Sequence, residues 1–287
     1  MQLQLYQPWI FVVNSGNGTI TAYDEQGNTK TASFTGLSTP LGLALDTRTS
    51  TPAPYAGATY VTNAGSNAIK VFEPVAVATT VAGAFPGLAS PGPIAFDSHN
   101  NQLYIANTAG STALVAFDEN GNAAGGFTAP GFAATPTPVP TATAAPGWQQ
   151  TAIAYDSTDN LIFVAGYLST TGNSVIGYSE SGSAQVPLPT TALNKPSGLA
   201  YDPNSGWIYV ANKGSNLITA YNGSGTQQTL TGFSGLSSPS AMLFDPYSLQ
   251  FYVVNGNTMK AFSESGSTVT LSGFSSLNTA TQMVLVP

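Results

Sequence analysis

The chain has no cysteine and one histidine, and only 7% of its 287 residues are charged. Without cysteine there is no disulfide framework, no thiolate nucleophile and no cysteine-ligated metal site. The charged fraction lies far below the roughly 25% of an ordinary soluble domain. Thr, Ser, Gly, Ala, Asn and Pro take the places that Lys and Glu usually fill, which favours a secreted or surface-exposed protein built of short strands and tight turns.

Long apolar runs and excess basic charge are also missing. No stretch approaches the roughly 18–20 apolar residues that span a bilayer. The net charge of −7 argues against nucleic acid as a partner, because binding to phosphates needs clustered Lys and Arg. The start, Met1 to Pro8, lacks the basic and apolar regions of a signal peptide. Two alternatives stay open, a cytosolic protein or a mature secreted, cell-surface or periplasmic form with its signal peptide removed. The composition favours the second.

What the chain does have is a repeated phrase, an aromatic residue followed by two aliphatic or small residues and, in five of six copies, Asn. The copies are Phe11-Val-Val-Asn14, Tyr60-Val-Thr-Asn63, Tyr104-Ile-Ala-Asn107, Phe163-Val-Ala-Gly166, Tyr209-Val-Ala-Asn212 and Tyr252-Val-Val-Asn255. The aromatic residues recur at intervals of 49, 44, 59, 46 and 43 residues, which is close to the length of one propeller blade. A sheet-forming unit of this length, repeated six times, predicts an all-β, six-bladed β-propeller.

Each repeat contains four short apolar segments, named A to D. In the fifth repeat they are Ser197–Asp202, Trp207–Asn212, Asn216–Tyr221 and a segment near Gln227 to Thr231. The pattern predicts four-stranded antiparallel blades. The chain begins with a B segment and ends with an A-like segment, Thr281 to Val286, so we expect the C-terminal strand to close the ring against the N-terminal hairpin. Residues 1–287 are predicted to form a single domain.

The turns carry their own signals. The A-to-B turns begin with Asp, which can accept backbone N–H bonds in an Asx turn, and the aspartates are Asp46, Asp97, Asp156, Asp202 and Asp245. The B-to-C turns, such as Asn63-Ala-Gly-Ser-Asn67, are rich in Asn and Gly. We expect these residues to supply the left-handed conformations of a short hairpin.

These residues carry a family resemblance. Pro196-Ser-Gly-Leu-Ala-Tyr-Asp202, followed by Tyr209-Val-Ala-Asn212-Lys-Gly-Ser-Asn216, resembles the NHL and YVTN propeller repeats, and Tyr60-Val-Thr-Asn63 spells the YVTN phrase itself. The resemblance extends from Trp9 to Val286. NHL repeats typically carry an Arg after the B-to-C turn, where this chain has Ile20, Ile69, Ile176 and Ile218. It is therefore more similar to the YVTN variant. Some propeller relatives, lactonases and streptogramin lyase among them, use acids or histidine with a divalent metal.

All 13 acidic residues fall in A-to-B or C-to-D turns. We call the side of the ring with these turns the acidic face, and the side with the B-to-C and D-to-A connections the non-acidic face. No paired carboxylate is left for acid/base chemistry on the non-acidic face. The histidine, His99, lies in an A-to-B turn, where we expect a structural role. We predict no catalytic residue, no metal ligand and no cofactor, with weak Ca²⁺ or Mg²⁺ binding by turn aspartates as the exception.

One departure from the repeat, an enlarged A-to-B turn from Asp46 to Ala58, lies on the acidic face and is explained by loop variation. The others map to the non-acidic face. They are a Pro- and Thr-rich insertion at 128–150 between blades, a longer B-to-C turn at 166–173 that exposes Tyr167 and Leu168, and two lysines. The scaffold does not require them, so we predict ligand or partner contacts there and at the channel mouth. The predicted residues are Trp148, Gln149, Gln150, Tyr167, Lys195, Lys213, Ser240 and Gln282.

The sequence therefore favours a monomeric, non-catalytic binding or scaffold module outside the cytoplasm. Its partner would be a protein, a glycan or a small molecule bound on the non-acidic face. The alternative is a metal-assisted lyase or lactonase-like enzyme with a site at the channel mouth. A structural repeat that belongs to a larger surface protein is a third interpretation.

Overall fold

The computed structural model describes residues 8–48, 56–72, 78–79, 85–109, 114–125, 127, 148–168 and 172–287. The first seven strands are β1 (Trp9–Asn14), β2 (Thr19–Asp24), β3 (Thr29–Lys30), β4 (Pro40–Leu45), β5 (Thr59–Asn63), β6 (Ala68–Phe72) and β7 (Ala78–Thr79). The next seven are β8 (Pro91–Asp97), β9 (Gln102–Asn107), β10 (Leu114–Asp118), β11 (Trp148–Asp156), β12 (Leu161–Leu168), β13 (Asn173–Ser179) and β14 (Ala184–Pro187).

The remaining strands complete the chain. They are β15 (Pro196–Asp202), β16 (Trp207–Asn212), β17 (Leu217–Asn222), β18 (Gln227–Gln228), β19 (Pro239–Asp245), β20 (Gln250–Asn255), β21 (Thr258–Ser263), β22 (Thr268–Val269) and β23 (Ala280–Val286). Two single turns of 3₁₀ helix, Ala64–Ser66 and Thr190–Ala192, lie between strands.

The strands form six antiparallel sheets, which confirms the predicted six-bladed propeller. Blade 1 is β23-β1-β2-β3, blade 2 is β4 to β7, blade 3 is β8 to β10, blade 4 is β11 to β14, blade 5 is β15 to β18 and blade 6 is β19 to β22. Blade 3 has three strands within the described residues. The A strands contact one another around the ring, so they line the central channel.

The ring closes through hydrogen bonds between strands from the two ends of the chain. Strand β23 pairs antiparallel with β1, from Trp9 opposite Val286 to Asn14 opposite Ala280. This is the closure that the sequence predicts. Strand β1 is therefore not left as an exposed edge, because the inner strand of blade 1 comes from the C-terminal segment.

The core lies between neighbouring blades and is built on the aromatic residue of each phrase. These residues are all buried: Phe11, Tyr60, Tyr104, Phe163, Tyr209 and Tyr252. Between blades 5 and 6, for example, the Tyr209 ring lies 4.3 Å from Phe251, measured between centroids. Burying one such side chain stabilises the fold by about 1.5–3 kcal/mol. The phrase is therefore first of all a packing element.

The predicted Asx turns are present at all five A-to-B aspartates. In each, a side-chain oxygen accepts the backbone N–H two residues later at 2.8–3.0 Å. All five aspartates are almost fully buried. An acid that is held by its own turn in this way is part of the scaffold.

The Asn that ends each phrase has a role that the sequence did not predict. Left-handed backbone in the B-to-C turns is supplied by later residues, such as Asn67 and Asn216. The Asn that ends the phrase instead accepts a backbone N–H with its side-chain oxygen. This N–H comes from the D-to-A connection that leads into the same blade. The pairs are Asn14 with Asn278, Asn63 with Ser38, Asn107 with Ala89, Asn212 with Asn194, and Asn255 with Ser237. It therefore joins the two connections of the non-acidic face.

The prediction that Tyr167 and Leu168 lie exposed in a long turn is wrong. Strand β12 continues through Leu168, and both residues pair with β11. Both side chains are half-buried, and Leu168 packs against the core between blades 3 and 4. The extra residues lengthen the strand, because each backbone group at 167 and 168 then gains a hydrogen-bonding partner.

Candidate functional site

Every A strand carries a β-bulge at the same level, near the non-acidic face. The register against the B strand shifts there in all six blades. The extra residues are Leu41, Gly92 with Pro93, Thr151, Ser197, Ser240 and Thr281. A bulge bends the strand and re-aims a side chain. Six of them at one level form a ring around the mouth of the channel.

Four of these residues form what we call the hydroxyl belt. Each hydroxyl donates a hydrogen bond to a backbone carbonyl of the next blade. The bonds run from Thr151 to Pro196 (2.6 Å), from Ser197 to Pro239 (2.6 Å), from Ser240 to Ala280 (3.0 Å) and from Thr281 to Leu41 (2.7 Å). The belt therefore links blades 4, 5, 6, 1 and 2 in that order.

Blades 2 and 3 are linked differently, because Leu41 has no hydroxyl. Thr62, on the neighbouring strand β5, donates to the carbonyl of Gly92 at 2.8 Å. Below it, the side chain of Gln282 crosses blade 2 and pairs with the backbone of Ile94. A Cβ on Gly42 would lie 2.8 Å from the Gln282 side-chain oxygen and 2.5 Å from the Gly92 carbonyl oxygen. Glycine is required at that crossing.

The residues that directly follow the phrase supply a second group of lining residues. Four of the six line the mouth: Thr108, Tyr167, Lys213 and Gly256. Lys213 is held by its backbone, whose N–H donates to the carbonyl of Lys195 at 3.1 Å. Lys195 itself has a left-handed backbone (φ 49°), and its N–H donates to the Asn173 side chain at 2.7 Å. The backbone of Lys213 is thus bonded to Lys195, whose own backbone is bonded to Asn173.

The bulge residues and these four residues line a cavity of about 340 Å³, which we call the mouth. Gln150, Tyr167, Asn257 and the hydroxyl belt line it together with Lys213. Lys213 is the one charged group among the described lining residues, and within the described chain it forms no salt bridge. Deeper in the channel the space narrows to about 40 Å³ between side chains such as Met242 and Met283. The mouth is therefore a wide entrance to a narrower channel, with hydroxyls, amides and one lysine set among apolar atoms.

The predicted binding residues are only partly brought together. Gln150, Tyr167, Lys213 and Ser240 converge on the mouth. Gln282 lies deeper, with its amide bonded to Ile94. Gln149 and Lys195 are exposed and lie outside the described lining. The side chain of Trp148 and residues 128–147 of the insertion lie outside the described residues.

Sequence reasoning missed Thr151, Ser197, Thr281 and Asn257. A signal was present in two repeats, where a serine directly follows the proline that opens the A segment, as in Pro196-Ser197 and Pro239-Ser240. Only the bulge, which depends on pairing between strands, reveals that these side chains share one level.

The acidic face has a repeated junction between blades, in which a C-to-D Glu meets the A-to-B Asp of the preceding blade. At two junctions a basic side chain lies between the acids. Arg48 contacts both Asp46 and Glu119, and His99 bonds Glu180 at 2.6 Å beside Asp97. The hydrogen bond and charge of Glu180 raise the pKa of His99. The histidine is thus part of a contact between blades 3 and 4.

Two other junctions place acid against acid. Burial, a hydrogen bond to Asp245 and that residue's charge raise the pKa of Glu25 to about 7. Burial, followed by the charge of Asp202, raises the pKa of Glu264. Across the described part of the chain, no three His, Cys, Asp or Glu side chains are grouped as metal ligands. Each junction is a pair of acids, one of which is already held by its Asx turn.

Comparison with known proteins supports the fold and leaves the family open. No protein-family model and no curated protein matches the sequence. A chain from a crystal structure of a nidogen/laminin complex is similar in structure, with a TM-score of 0.73 and 14% identity over 98% of this chain and 99% of that one. A gluconolactonase from Xanthomonas campestris, described as important in glucose secondary metabolic pathways, gives a TM-score of 0.58 and 14% identity, covering 93% of this chain and 84% of that one.

At 14% identity these likenesses show the fold alone. They support membership of the β-propellers, and the finer assignment to NHL or YVTN repeats stays a prediction. One neighbour comes from a binding complex and the other is an enzyme, so the fold does not decide between binding and catalysis. In the residues that the structure describes, no helix is long and apolar enough to cross a bilayer.

Proposed function

We propose that this protein is a non-catalytic binding module that works outside the cytoplasm and holds its ligand in the mouth on the non-acidic face. The observation that carries the proposal is the mouth itself, a pocket to which all six blades contribute lining residues and below which the channel narrows. Its volume of about 340 Å³ falls in the range of small-molecule pockets, about 300–1,000 Å³. Two residues that depart from the repeat, Tyr167 and Lys213, are part of its lining.

The surroundings of the mouth favour binding over catalysis. The described lining contains hydroxyls, amides, a tyrosine and a lysine but no carboxylate or histidine. Proton transfer in a hydrolase is most often carried out by His, Asp or Glu. The nidogen/laminin neighbour supports a propeller that recognises a partner in the extracellular space. In the same proposal the chain is a monomeric, single-domain member of the YVTN variant.

A blocked mouth tests this function. Asn257 is an exposed lining residue, so Asn257→Trp should fill the entrance without disturbing the core. The matched control is Asn204→Trp, which places the same bulk at an exposed position on the acidic face. An array of neutral and acidic glycans and of acidic, basic and apolar peptides is probed with wild type and both variants.

We expect the ligands that bind wild type to be lost from Asn257→Trp and kept by Asn204→Trp. Retention of every ligand by Asn257→Trp, or loss of the same ligands from Asn204→Trp, would contradict a site at the mouth. An array on which wild type binds nothing would also count against the proposal.

A lactonase-like enzyme is the second candidate, because the gluconolactonase neighbour shares the architecture. Its test is hydrolysis of glucono-δ-lactone by purified protein with Ca²⁺ or Mg²⁺ added, together with metal analysis of the protein as isolated. Turnover that Asn257→Trp abolishes, or one tightly held metal ion per chain, would replace the binding proposal with the enzyme. A rate equal to that of buffer alone is the result we expect.

A further inference from the structure

We propose that the ligand of the mouth is a sugar acid, a polyhydroxylated ring that carries a carboxylate, such as a hexuronate. This inference rests on the proposed function and names the ligand class for that site. It follows from two features of the mouth. The hydroxyl protons of the belt are already donated within the protein, and the charge of the described lining is positive.

The hydroxyl belt presents acceptors. A Ser or Thr hydroxyl has one proton and two lone pairs. All four belt hydroxyls donate that proton to a backbone carbonyl of the next blade, at 2.6 to 3.0 Å. These carbonyls are part of the bulges, so the protons are held by the fold itself. What each belt oxygen can offer a ligand is therefore a lone pair, and the ligand must bring the donors.

A ligand with several donors spaced around a ring matches this arrangement. The belt residues come from four different blades and lie at one level of the channel, so their oxygens are distributed along an arc. A pyranose carries hydroxyl groups around its edge, each of which can donate one bond. An apolar ligand would leave the second hydrogen-bonding position of each belt oxygen unused, whereas a polyol can donate to it.

The positive charge of the mouth favours a polyol that carries a negative charge. Lys213 lines the cavity without a salt bridge to any described acid, and the acids among the described residues belong to the turns of the opposite face. A cationic sugar would be repelled by Lys213, whereas a carboxylate gains a charge-assisted hydrogen bond from its ammonium group. The size of the mouth, about 340 Å³, fits one sugar residue and not a folded protein segment.

Calorimetric titration tests the proposal with defined probes. D-galacturonate and tri-galacturonate are the acidic sugars, D-galactose is the neutral match, and a short Glu-rich peptide supplies carboxylates without the polyol. The variants are Lys213→Gln, which removes the charge, and Ser240→Ala, which removes one acceptor. Lys195→Gln is the matched control, because Lys195 is an exposed lysine bonded to Lys213 through the backbone but outside the described lining.

We expect wild type to bind galacturonate at least tenfold more tightly than galactose. Lys213→Gln should lose about tenfold or more of the galacturonate affinity, since hydrogen bonds to charged groups are roughly twice as strong as neutral ones. Lys195→Gln should stay within twofold of wild type. Ser240→Ala should weaken both sugars by a similar factor. A tighter tri-galacturonate complex assigns the ligand to a polysaccharide, and equal affinity assigns it to a free sugar acid; both support the class.

Three results would overturn the inference: equal affinity for galactose and galacturonate, equal losses in Lys195→Gln and Lys213→Gln, or binding of the Glu-rich peptide but neither acidic sugar. None of these touches the proposed function, which depends on the array and Asn257→Trp. If array ligands of another class are lost from Asn257→Trp, the mouth is a binding site and only its ligand class was wrong.

Discussion

The carboxamide of Gln282 pairs with both backbone groups of Ile94. Its nitrogen donates to the Ile94 carbonyl at 2.6 Å, and its oxygen accepts the Ile94 N–H at 3.2 Å. Gln282 belongs to blade 1 and Ile94 to blade 3, so the side chain bridges the A strand of blade 2. The pairing lies at the end of the bulge of β8, where the register against β9 shifts between Pro91 and Ile94.

Gln282→Ala should therefore destabilise the propeller. The substitution leaves the buried N–H and C=O of Ile94 without their partner, and each such group costs about 1–3 kcal/mol. We expect a lower midpoint in urea and a melting temperature reduced by several degrees. Gln149→Ala, at an exposed A-strand glutamine, is the control and should melt like wild type. Equal melting of all three proteins would contradict the structural role of the pairing.

The Asn of the phrase gives a second prediction. Asn212 is fully buried; it accepts the Asn194 N–H at 2.9 Å and donates to Thr219 at 3.1 Å. Asn212→Ala should lower the free energy of unfolding by about 1–3 kcal/mol, because the Asn194 N–H loses its acceptor. Asn204→Ala, exposed in the neighbouring turn, should change it by less than about 0.5 kcal/mol. Chemical denaturation of both variants decides, and similar losses would refute the clamp.

Glu25 predicts a pH dependence. The pKa of Glu25 in the folded protein is about 7, above the roughly 4.3 of an unperturbed Glu. A raised pKa contributes stability that is complete below the unfolded value and is lost as pH rises through the folded value. Glu25→Gln should therefore match wild type near pH 4 and melt above it at pH 8. A gap that is the same at both pH values would contradict the acid–acid junction.

The junction at Glu119 should respond in the opposite direction. Glu119 contacts Arg48 instead of a second acid, so Glu119→Gln removes a favourable charge pair. We expect this variant to melt below wild type at pH 8, where Glu25→Gln melts above it. Melting curves at one pH thus separate the two kinds of junction, and a stabilising effect of Glu119→Gln would show that they are alike.

His99 supplies a further test. The contact with Glu180 raises the pKa of His99, so its stabilising effect is complete below the unfolded pKa of about 6.5 and disappears as pH rises through the folded pKa. His99→Gln should be less stable than wild type at pH 6 and equal to it at pH 9, as measured by the urea midpoint. A difference that persists at pH 9 would assign His99 a role other than its charge.

The blade repeat was readable from the sequence because its causes are local. Tyr60-Val-Thr-Asn63 favours a strand and Asp202 favours a turn because of their immediate neighbours in the sequence. The ring closure was predictable as well, since the order of segments leaves β1 without an inner partner except β23. These features need only the order of residues within one repeat, or at the two ends.

The site was less accessible to sequence reasoning because its geometry depends on contacts between repeats. Nothing near Gln282 in sequence indicates that its partner is Ile94, and nothing near Asn212 indicates that it holds Asn194. The bulges at Ser197 and Ser240 look like ordinary strand starts until pairing with the B strand is known. The repeat predicts that the fourth B segment ends at Gly166, as the phrase does in the other repeats. In the structure, β12 instead continues its pairing through Tyr167 and Leu168.

The hydroxyl belt has an electrical consequence. Its O–H groups all point the same way around the channel, each toward the following blade. Bonds that run around the channel add little field along its axis. The one charge among the described lining residues is the ammonium group of Lys213, so an acidic residue in its place would reverse the sign of the charge that a ligand meets at the entrance.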